Sequence, residues 1–312
     1  MLFNGQRKFP MTFHPITVDD YESLKRFFVK QAYRLSIYSL FSIIVWSNQK
    51  LRTWFAVEND TLMLYNESDS GSDRQLLLPL SLTEVITPEY LHNLAIKMGI
   101  DQYCFVPETT LQQFDQRTLA SYFTLTEQPE FEDYIYLTED LARLKGNRYA
   151  KQRNLIHQFD KVYLQNERAG VETIHPDNVG DCLEFLQKWC DERDCDAASD
   201  DSLACEKMAT INALKNLDRL ELQGILIRID GEASAFGICS HLTEDMGILN
   251  FEKAFSQIKG LYQFLDNECA KRLFNRYRYI NKESDMNLPN LAHSKNSYHP
   301  VIKLKSYCLG AR

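Results

Sequence analysis

The pattern of apolar and polar positions repeats an order of elements along the chain. Residues 12–106 predict a helix, a β-hairpin, a strand, a helix and a strand. Residues 177–282 predict two helices, a hairpin, a strand, a helix and a strand. We therefore expect two copies of one unit of sheet and helices, joined by a linker region between residues 107 and 160.

In the first copy, the best-bounded element is a helix predicted over Pro88–Met98. Thr87 supplies an N-cap, Pro88 occupies the first helical position, and Gly99 ends the helix. The most apolar run of the chain, Leu35–Trp46, is interrupted by three serines and is shorter than the ~20 residues that span a bilayer. We expect this run to be buried structure within a folded domain.

The second copy contains a hairpin whose turn is Asp230-Gly231, a pair that tolerates the two positive φ angles of a type I′ turn. Gly237 on the following strand indicates close approach of another segment or a ligand. A third strand ends near Ala254, and a helix with one apolar face begins after Gly260. This order of strands, loop and helix suggests the core of an acyltransferase.

The loop between that strand and helix has the spacing Gln257-x-x-Gly260-x-Tyr262. Free backbone N–H groups and the positive end of the helix dipole at such a junction suit a phosphate or a carboxylate. The alternative is an ordinary turn, because a single glycine before a helix most often serves only the backbone. Lys253 at the end of the strand and Gln257 in the loop are further candidates for substrate binding.

Two carboxylates are candidate general bases: Glu252 on the central strand and Glu283 after the last strand. A buried carboxylate can have its pKa raised toward neutrality, as that role requires. Tyr298 is a candidate for protonating a leaving group. The alternative for Glu252 is an ion pair with a neighbouring lysine, and for Glu283 a solvated loop. Other polar candidates for substrate binding in this region are Asn267, Asp285, Lys295 and His299.

A basic segment lies in the linker region of this otherwise acidic chain. Five basic residues fall between positions 143 and 153, with no acidic residue among them. They could hold a phosphate-rich partner, such as a tRNA acceptor end, another phosphate-bearing molecule or a lipid headgroup. The alternative is a solvated helix face. The residues of this segment that we assign to substrate binding are Lys145, Arg148, Tyr149, Lys151, Arg153 and Asn154.

Composition narrows the class of protein. A net charge of −8 and a pI of about 5.5 argue against a protein that coats nucleic acid. The eight cysteines form no Cys-x-x-Cys pair and have no histidine at a zinc spacing, so we expect reduced thiols and no metal site. The first ten residues lack the apolar core of a signal peptide, and we expect a cytoplasmic protein without a transmembrane segment.

Taken together, these stretches resemble a family of bacterial proteins related to the C-terminal domain of phosphatidylglycerol lysyltransferase. The matching segments are Leu144–Asn154 (LKGNRYAKQRN), Phe251–Ala254 (FEKA), Gly260–Gln263 (GLYQ), Asn267-Glu268, Asn281–Leu288 (NKESDMNL) and Lys295–Pro300 (KNSYHP). The resemblance implies an α+β fold of two tandem GNAT-like domains, each with a mixed, mainly antiparallel sheet flanked by helices. We place the first, degenerate domain at residues 1–130 and the second at 131–312, with a basic linking helix at about 138–160.

The resemblance also implies kinship with Fem-type enzymes, which transfer an amino acid from aminoacyl-tRNA to an amine or hydroxyl. Our leading hypothesis is an acyl- or aminoacyl-transferase whose donor is aminoacyl-tRNA or acyl-CoA. Tyr262 stands where the GNAT pyrophosphate loop usually has a small residue, which counts against coenzyme A. The alternatives are a non-catalytic binding module that keeps the GNAT fold and an acetyl-CoA-dependent N-acetyltransferase.

Overall fold

The computed structural model describes residues 11–71, 73–193 and 201–312, the last range without the side chains of residues 201–203. The first ten residues and Cys195 lie outside these ranges. Strands are β1 (His14–Pro15), β2 (Leu51–Glu58), β3 (Thr61–Ser68), β4 (Arg74–Leu76), β5 (Leu80–Ser81), β6 (Gln102–Pro107), β7 (Phe123–Glu127), β8 (Asp133–Leu137), β9 (Ala169–Thr173), β10 (Gln223–Ile229), β11 (Glu232–Thr243), β12 (Met246–Ala254), β13 (Tyr279–Asn281), β14 (Ile302–Leu304) and β15 (Ser306–Ala311). Helices are α1 (Tyr21–Leu24), α2 (Leu40–Val45), α3 (Pro88–Met98), α4 (Glu108–Leu111), α5 (Gln116–Tyr122), α6 (Thr138–Arg143), α7 (Ala150–Phe159), α8 (Val179–Asp191), α9 (Asp201–Lys215), α10 (Leu261–Arg272) and α11 (Pro289–Asn296).

The strands form two mixed, mainly antiparallel sheets with helices packed against them. In the first sheet the order is β1-β2-β3-β4-β6-β15-β7, and β5 pairs with β3. In the second the order is β14-β8-β13-β12-β11-β10-β9. The parallel pairs are β4 with β6 and β12 with β13. These sheets confirm the α+β class predicted from the sequence.

The C-terminal strand β15 ties the two halves of the chain together. It follows β14 of the second sheet but pairs with β6 and β7 of the first. The predicted domain boundary near residue 130 therefore separates the strands of the two sheets except for β15. The boundary itself stays a prediction.

The two halves also share one hydrophobic core. All six residues of α2 are buried, as expected for the apolar run that contains it. Phe41 and Trp46 pack near Phe251 of β12, with ring centroids 6.2 and 6.3 Å apart respectively. This packing places α2 against the second sheet, close to the candidate carboxylates. Within the residues described, every helix is too short or too polar to traverse a lipid bilayer.

The ends of α3, the turn between β10 and β11 and the close packing at Gly237 agree with the predictions from the sequence. Thr87 accepts a hydrogen bond from the N–H of Tyr90, and Gly99 ends α3 with φ +64°. Asp230 and Gly231 both have positive φ, +52° and +87°. A Cβ added to Gly237 would lie 2.4 Å from the Sγ atom of Cys269, so the predicted close approach comes from α10.

The expectation that all cysteines are reduced is wrong for Cys104 and Cys308. These residues lie on the neighbouring strands β6 and β15 and form a disulfide. The two residues are 204 positions apart, and the sequence carries no local signal that brings them together. The bond fixes β15 in the first sheet.

Candidate active site

The candidate site lies where the parallel strands β12 and β13 separate. They pair only from Met246 to Ile248, and β13 ends at Asn281. In the pairing of β12 with β11, Ile238 faces Phe251 and Cys239 faces Leu249, so Asn250 is the extra residue of a β-bulge. A bulge shifts the alternation of side chains along a strand and is common beside active sites. Here it directs Glu252 toward α10.

Glu252 belongs to a buried ionic cluster with Lys282 and Asp266. The Nζ atom of Lys282 lies 3.0 Å from an Oε atom of Glu252 and 2.9 Å from an Oδ atom of Asp266. Burial raises the pKa of Glu252 to about 7, against the opposing effect of Lys282. Although burial lowers the pKa of Lys282, Asp266 and Glu252 together raise it well above its ordinary value. The cluster thus holds a lysine ammonium beside a carboxyl group that can exchange a proton near neutral pH.

Tyr298 covers this cluster on one side. Its ring centroid lies 5.3 Å from the Nζ atom of Lys282, and the residue is 8% exposed. Burial, with Asp266 as the next cause, raises the pKa of Tyr298 well above its ordinary value. The phenol is therefore protonated at neutral pH and can serve as a proton donor.

Glu283 lies beside the same strands but contacts different groups. Its Oε1 atom is 3.5 Å from the amide nitrogen of Asn250, which also approaches the hydroxyl of Ser42 on α2 at 3.4 Å. Burial raises the pKa of Glu283 to about 8. Glu283 has φ +58°, a conformation that costs energy for a residue other than glycine. The two candidate bases therefore face different elements, Glu252 toward α10 and Glu283 toward α2.

Lys295 holds the backbone around Glu283. Its ammonium donates to the carbonyls of Lys282, Glu283 and Ser284 at 2.5 to 3.1 Å. Burial lowers the pKa of Lys295 to about 8. Three carbonyl acceptors match the three N–H bonds of an ammonium group. The structure thus gives Lys295, predicted to bind substrate, contacts that position the loop.

Polar side chains of β8 form hydrogen bonds with β13 and with the loop that follows it. The Asp133 carboxylate accepts hydrogen bonds from Asn281, at 2.8 Å, and from the backbone N–H of Ser36, at 2.6 Å. The side chain of Asp285 accepts a hydrogen bond from the Tyr134 hydroxyl at 2.5 Å. Asp285 is 9% exposed. A substrate that binds to its carboxylate, as predicted from the sequence, would therefore compete with the hydroxyl of Tyr134.

Most of the predicted basic segment is bonded within the protein. Arg148 pairs with Asp140 at 2.7 Å, and Arg153 donates to the carbonyl of Gly146 at 2.7 Å. Tyr149 is fully buried and donates to the carbonyl of Tyr298 at 3.2 Å, while the backbone of Arg148 contacts His299 Nε2 at 3.1 Å. The exposed members of the segment are Lys145, Arg148, Lys151, Arg153 and Asn154, of which Arg148 and Arg153 make the internal contacts just described. The segment therefore attaches α7 to the end of α11.

The residues predicted around the phosphate loop also have internal contacts. Lys253 pairs with Glu206 and lies over the ring of Trp189, with Nζ 4.3 Å from the centroid. Tyr262 accepts a hydrogen bond from Trp189 at 3.3 Å. The side chain of Gln257 donates a hydrogen bond to Glu192 at 3.0 Å. The side chain of Asn267 donates to the carbonyls of Leu141, at 2.7 Å, and Ala142, at 2.9 Å.

Gly260 is required by packing against α7. It has φ +85°, and an added Cβ would lie 2.2 Å from the carbonyl oxygen of Leu155. Helix α7 thus packs closely against the loop at which a phosphate was predicted to bind. Gly231 is a matched comparison, because it has φ +87° and no described atom lies within 4 Å of its added Cβ.

We expect Gly260→Ala to destabilise the protein more strongly than Gly231→Ala. Both substitutions incur ~1–2 kcal/mol of left-handed backbone strain, but only the former also forces α7 to move. Urea denaturation followed by circular dichroism would measure the difference. Equal losses of unfolding free energy would show that α7 does not press on the loop.

Sequence reasoning missed Lys282 and Asp266, which complete the cluster around Glu252. Asp266 lies on α10 between the buried Leu265 and Asn267, and is itself 3% exposed. A carboxylate within the apolar stretch of a helix could have drawn attention to Asp266. Nothing in the local sequence indicates that Lys282 lies opposite it.

The raised pKa values of Glu252 and Glu283 predict how stability depends on pH. Both carboxyl groups bind protons more tightly in the folded than in the unfolded state. Folding stability is then greatest below the unfolded pKa and falls as pH rises through about 7 for Glu252 and about 8 for Glu283.

We expect the free energy of unfolding to fall by roughly 2 kcal/mol or more between pH 5 and pH 8.5. The double variant Glu252→Gln/Glu283→Gln should show a flatter profile, because neither amide titrates. Urea denaturation at each pH would test this. A profile as steep as that of the wild-type protein would contradict the protonation assigned to these groups.

Two mixed, mainly antiparallel sheets flanked by helices give the chain the acyltransferase-like architecture of two tandem GNAT-like units. The family profile described as "Phosphatidylglycerol lysyltransferase, C-terminal" matches residues 41–310. The chain therefore belongs to this family, as the sequence motifs predicted.

Several solved structures are similar to this chain. A conserved protein of unknown function from Bacteroides thetaiotaomicron is 28% identical, with a TM-score of 0.86 over 97% of this chain and 100% of that one. The C-terminal domain of a proposed lysylphosphatidylglycerol synthetase from Agrobacterium fabrum is 12% identical, with a TM-score of 0.63 over 93% and 91%. A tandem GNAT protein from the clavulanic acid biosynthesis pathway is 9% identical, with a TM-score of 0.47 over 96% and 98%. Among curated proteins, none matches significantly.

Proposed function

We propose that the protein is an acyltransferase that moves an aminoacyl group from aminoacyl-tRNA to an amine or hydroxyl acceptor. The observation that carries the proposal is the Glu252–Lys282–Asp266 cluster at the separation of β12 and β13. The family match supports aminoacyl transfer, because the lysyltransferase in its description moves an amino acid.

In this proposal Glu252 acts as the general base. For an amine acceptor, the nitrogen attacks the carbonyl carbon of the aminoacyl ester, and Glu252 takes the proton that the nitrogen loses. The ester C–O bond then breaks, and Tyr298 gives a proton to the departing tRNA hydroxyl. The proton on Glu252 restores Tyr298, so the products are an amide and free tRNA. A carboxyl group with a pKa of about 7 suits this exchange.

The position of α7 favours aminoacyl-tRNA over coenzyme A as donor. The carbonyl of Leu155 lies where a side chain on Gly260 would have to stand, and Trp189 donates to Tyr262 in the first turn of α10 at 3.3 Å. These contacts occupy the start of α10, where a coenzyme A pyrophosphate would otherwise bind. The exposed Lys145 and Lys151 remain available for the phosphates of a tRNA acceptor end.

A single-turnover assay with excess protein would test the proposal. Charged tRNA, acetyl-CoA and buffer alone would each be mixed with a panel of amine and hydroxyl acceptors. We expect the aminoacyl group to leave tRNA for an acceptor and the acetyl group to remain on coenzyme A. Acetyl transfer alone would favour an N-acetyltransferase. Tight binding of charged tRNA without transfer to any acceptor would favour a binding module.

A further inference from the structure

A surface recess beside Tyr298 is lined by polar side chains that the fold itself does not use. It has a volume of about 140 Å³ and lies between α7, α10 and α11. Lys151 lines it from α7, Gln263 from α10, and His293 and Ser294 from α11. Within the part of the chain that the structure describes, none of these four side chains makes a hydrogen bond or an ion pair. Hydrogen-bonding groups from three helices are therefore available in one space.

The charge of the lining favours an anion. Among the residues that line the recess there is no aspartate or glutamate, although acidic residues outnumber basic ones in the whole chain. Lys151 brings a positive charge. The hydroxyl of Ser294, the amide of Gln263 and a ring N–H of His293 are further donors. An anion would gain one charge-assisted hydrogen bond and several neutral ones.

The helix ends around the recess neither create nor oppose this site. The partial negative charge at the end of a helix resides on its unsatisfied carbonyls. In α11, the carbonyl of Ser294 accepts hydrogen bonds from the N–H and the hydroxyl of Ser297, at 3.1 and 2.7 Å. The donors of the recess are side chains, so the backbone at the start of α10, which packs against α7 at Gly260, is not needed.

The arrangement of the donors matches a phosphate group. A phosphate has oxygens on all sides of its phosphorus atom, whereas the two oxygens of a carboxylate lie in one plane. Donors that come from three helices can therefore each reach a phosphate oxygen. A cavity of ~150 Å³ in another protein holds benzene. The recess is thus large enough for a phosphate group, and the rest of a larger ligand would extend out of it.

We propose that this recess is a phosphate-binding subsite that holds the 5′ phosphate of the terminal nucleotide of the donor tRNA. In the proposed function, Tyr298 gives a proton to the departing hydroxyl of that nucleotide, and Tyr298 also lines the recess. One ribose ring separates that hydroxyl from the 5′ phosphate, so a donor placed at Tyr298 brings the phosphate to the recess. The nucleotide source rests on the proposed function, whereas the phosphate chemistry rests on the lining alone.

Nuclear magnetic resonance of the full chain, with histidines labelled at the imidazole Cε1, would test the inference. The probes are the dinucleotide cytidylyl-adenosine, glycerophosphoglycerol, inorganic phosphate and acetate, at constant ionic strength. We expect a saturable shift of the His293 signal with the three phosphate probes, tightest with the dinucleotide, and none with acetate. His293→Gln identifies the signal. His157 is the internal control, because it is exposed on α7 and does not line the recess.

Variants of exposed lining residues measure the contribution of each donor. Lys151→Met should weaken binding of the dinucleotide about tenfold or more, because a charge-assisted hydrogen bond is lost. Ser294→Ala should weaken it less, because the hydroxyl is a neutral donor. The matched control is Lys161→Met, since Lys161 is exposed just after α7 and does not line the recess. All three side chains are exposed, so the variants should keep the thermal stability of the wild-type protein.

An equal shift of the His157 signal, binding of acetate as tight as that of phosphate, or unchanged affinity in Lys151→Met would overturn the inference. Tighter binding of glycerophosphoglycerol or inorganic phosphate than of the dinucleotide would overturn the assignment to tRNA. Wild-type transfer by Lys151→Met at subsaturating tRNA would also overturn that assignment and leave the proposed function intact. Binding of the dinucleotide at the recess, without any aminoacyl transfer, would support the inference and count against the proposed function alone.

Discussion

Replacing Lys282 by methionine is expected to cost ~3–5 kcal/mol of folding free energy at pH 7.5. Lys282 is the ion-pair partner of both Glu252 and Asp266, and its side chain is 12% exposed. Without it, two neighbouring carboxyl groups remain buried and lose the ammonium group that pairs with both of them. Urea denaturation would measure the loss.

The control for this substitution is Lys97→Met. Lys97 pairs with Glu58 at 2.8 Å, but both side chains are more than 40% exposed. Exposed pairs contribute ~1 kcal/mol or less. Adding Asp266→Asn and Glu252→Gln to Lys282→Met should recover much of the lost stability, because the uncompensated charges are then absent. A Lys282→Met variant no less stable than Lys97→Met would contradict the ionic cluster.

The second large effect is on transfer activity. Glu252→Gln is expected to lower the rate of aminoacyl transfer by ~10²–10⁴-fold, the usual contribution of a general base. Glu283→Gln should lower it less, because Glu283 contacts Asn250 rather than the ionic cluster. The wild-type rate should rise with pH through about 7, the pKa of Glu252, and then level off.

Glu232→Gln provides the matched carboxylate control, because the Glu232 side chain is 80% exposed at the start of β11. Single-turnover rates across pH 5.5–9 would be compared for all variants. If Glu283→Gln abolished transfer while Glu252→Gln left it intact, the roles of the two carboxylates would be exchanged. If both retained the wild-type rate, neither would be the base.

Elements fixed by local chemistry were predictable from the sequence. The α3 helix follows from Thr87, Pro88 and Gly99, and the β10–β11 turn follows from two residues that adopt positive φ. The family motifs predicted the tandem architecture. In each case the determining residues are neighbours in sequence, so the pattern carries the information directly.

Features that depend on distant partners could not be read in this way. β15 pairs with strands of the first sheet although it follows β14 of the second. The bulge at Asn250 shifts the alternation of side chains along β12, so that Glu252 faces α10. Lys282 meets Asp266 only once α10 and β13 are in place. Arg148 and Arg153, which look free in the sequence, are bonded to the protein itself. Charge in a sequence predicts a binding surface only when folding leaves that charge unpaired.

We propose that aminoacyl transfer takes place where β12 and β13 separate. The most direct test is a crystal structure with an amide-linked aminoacyl-adenosine, which keeps the acyl group and resists transfer. We predict density for the acyl carbonyl beside Glu252 and Tyr298. Density for the bound analogue elsewhere on the protein would contradict this account.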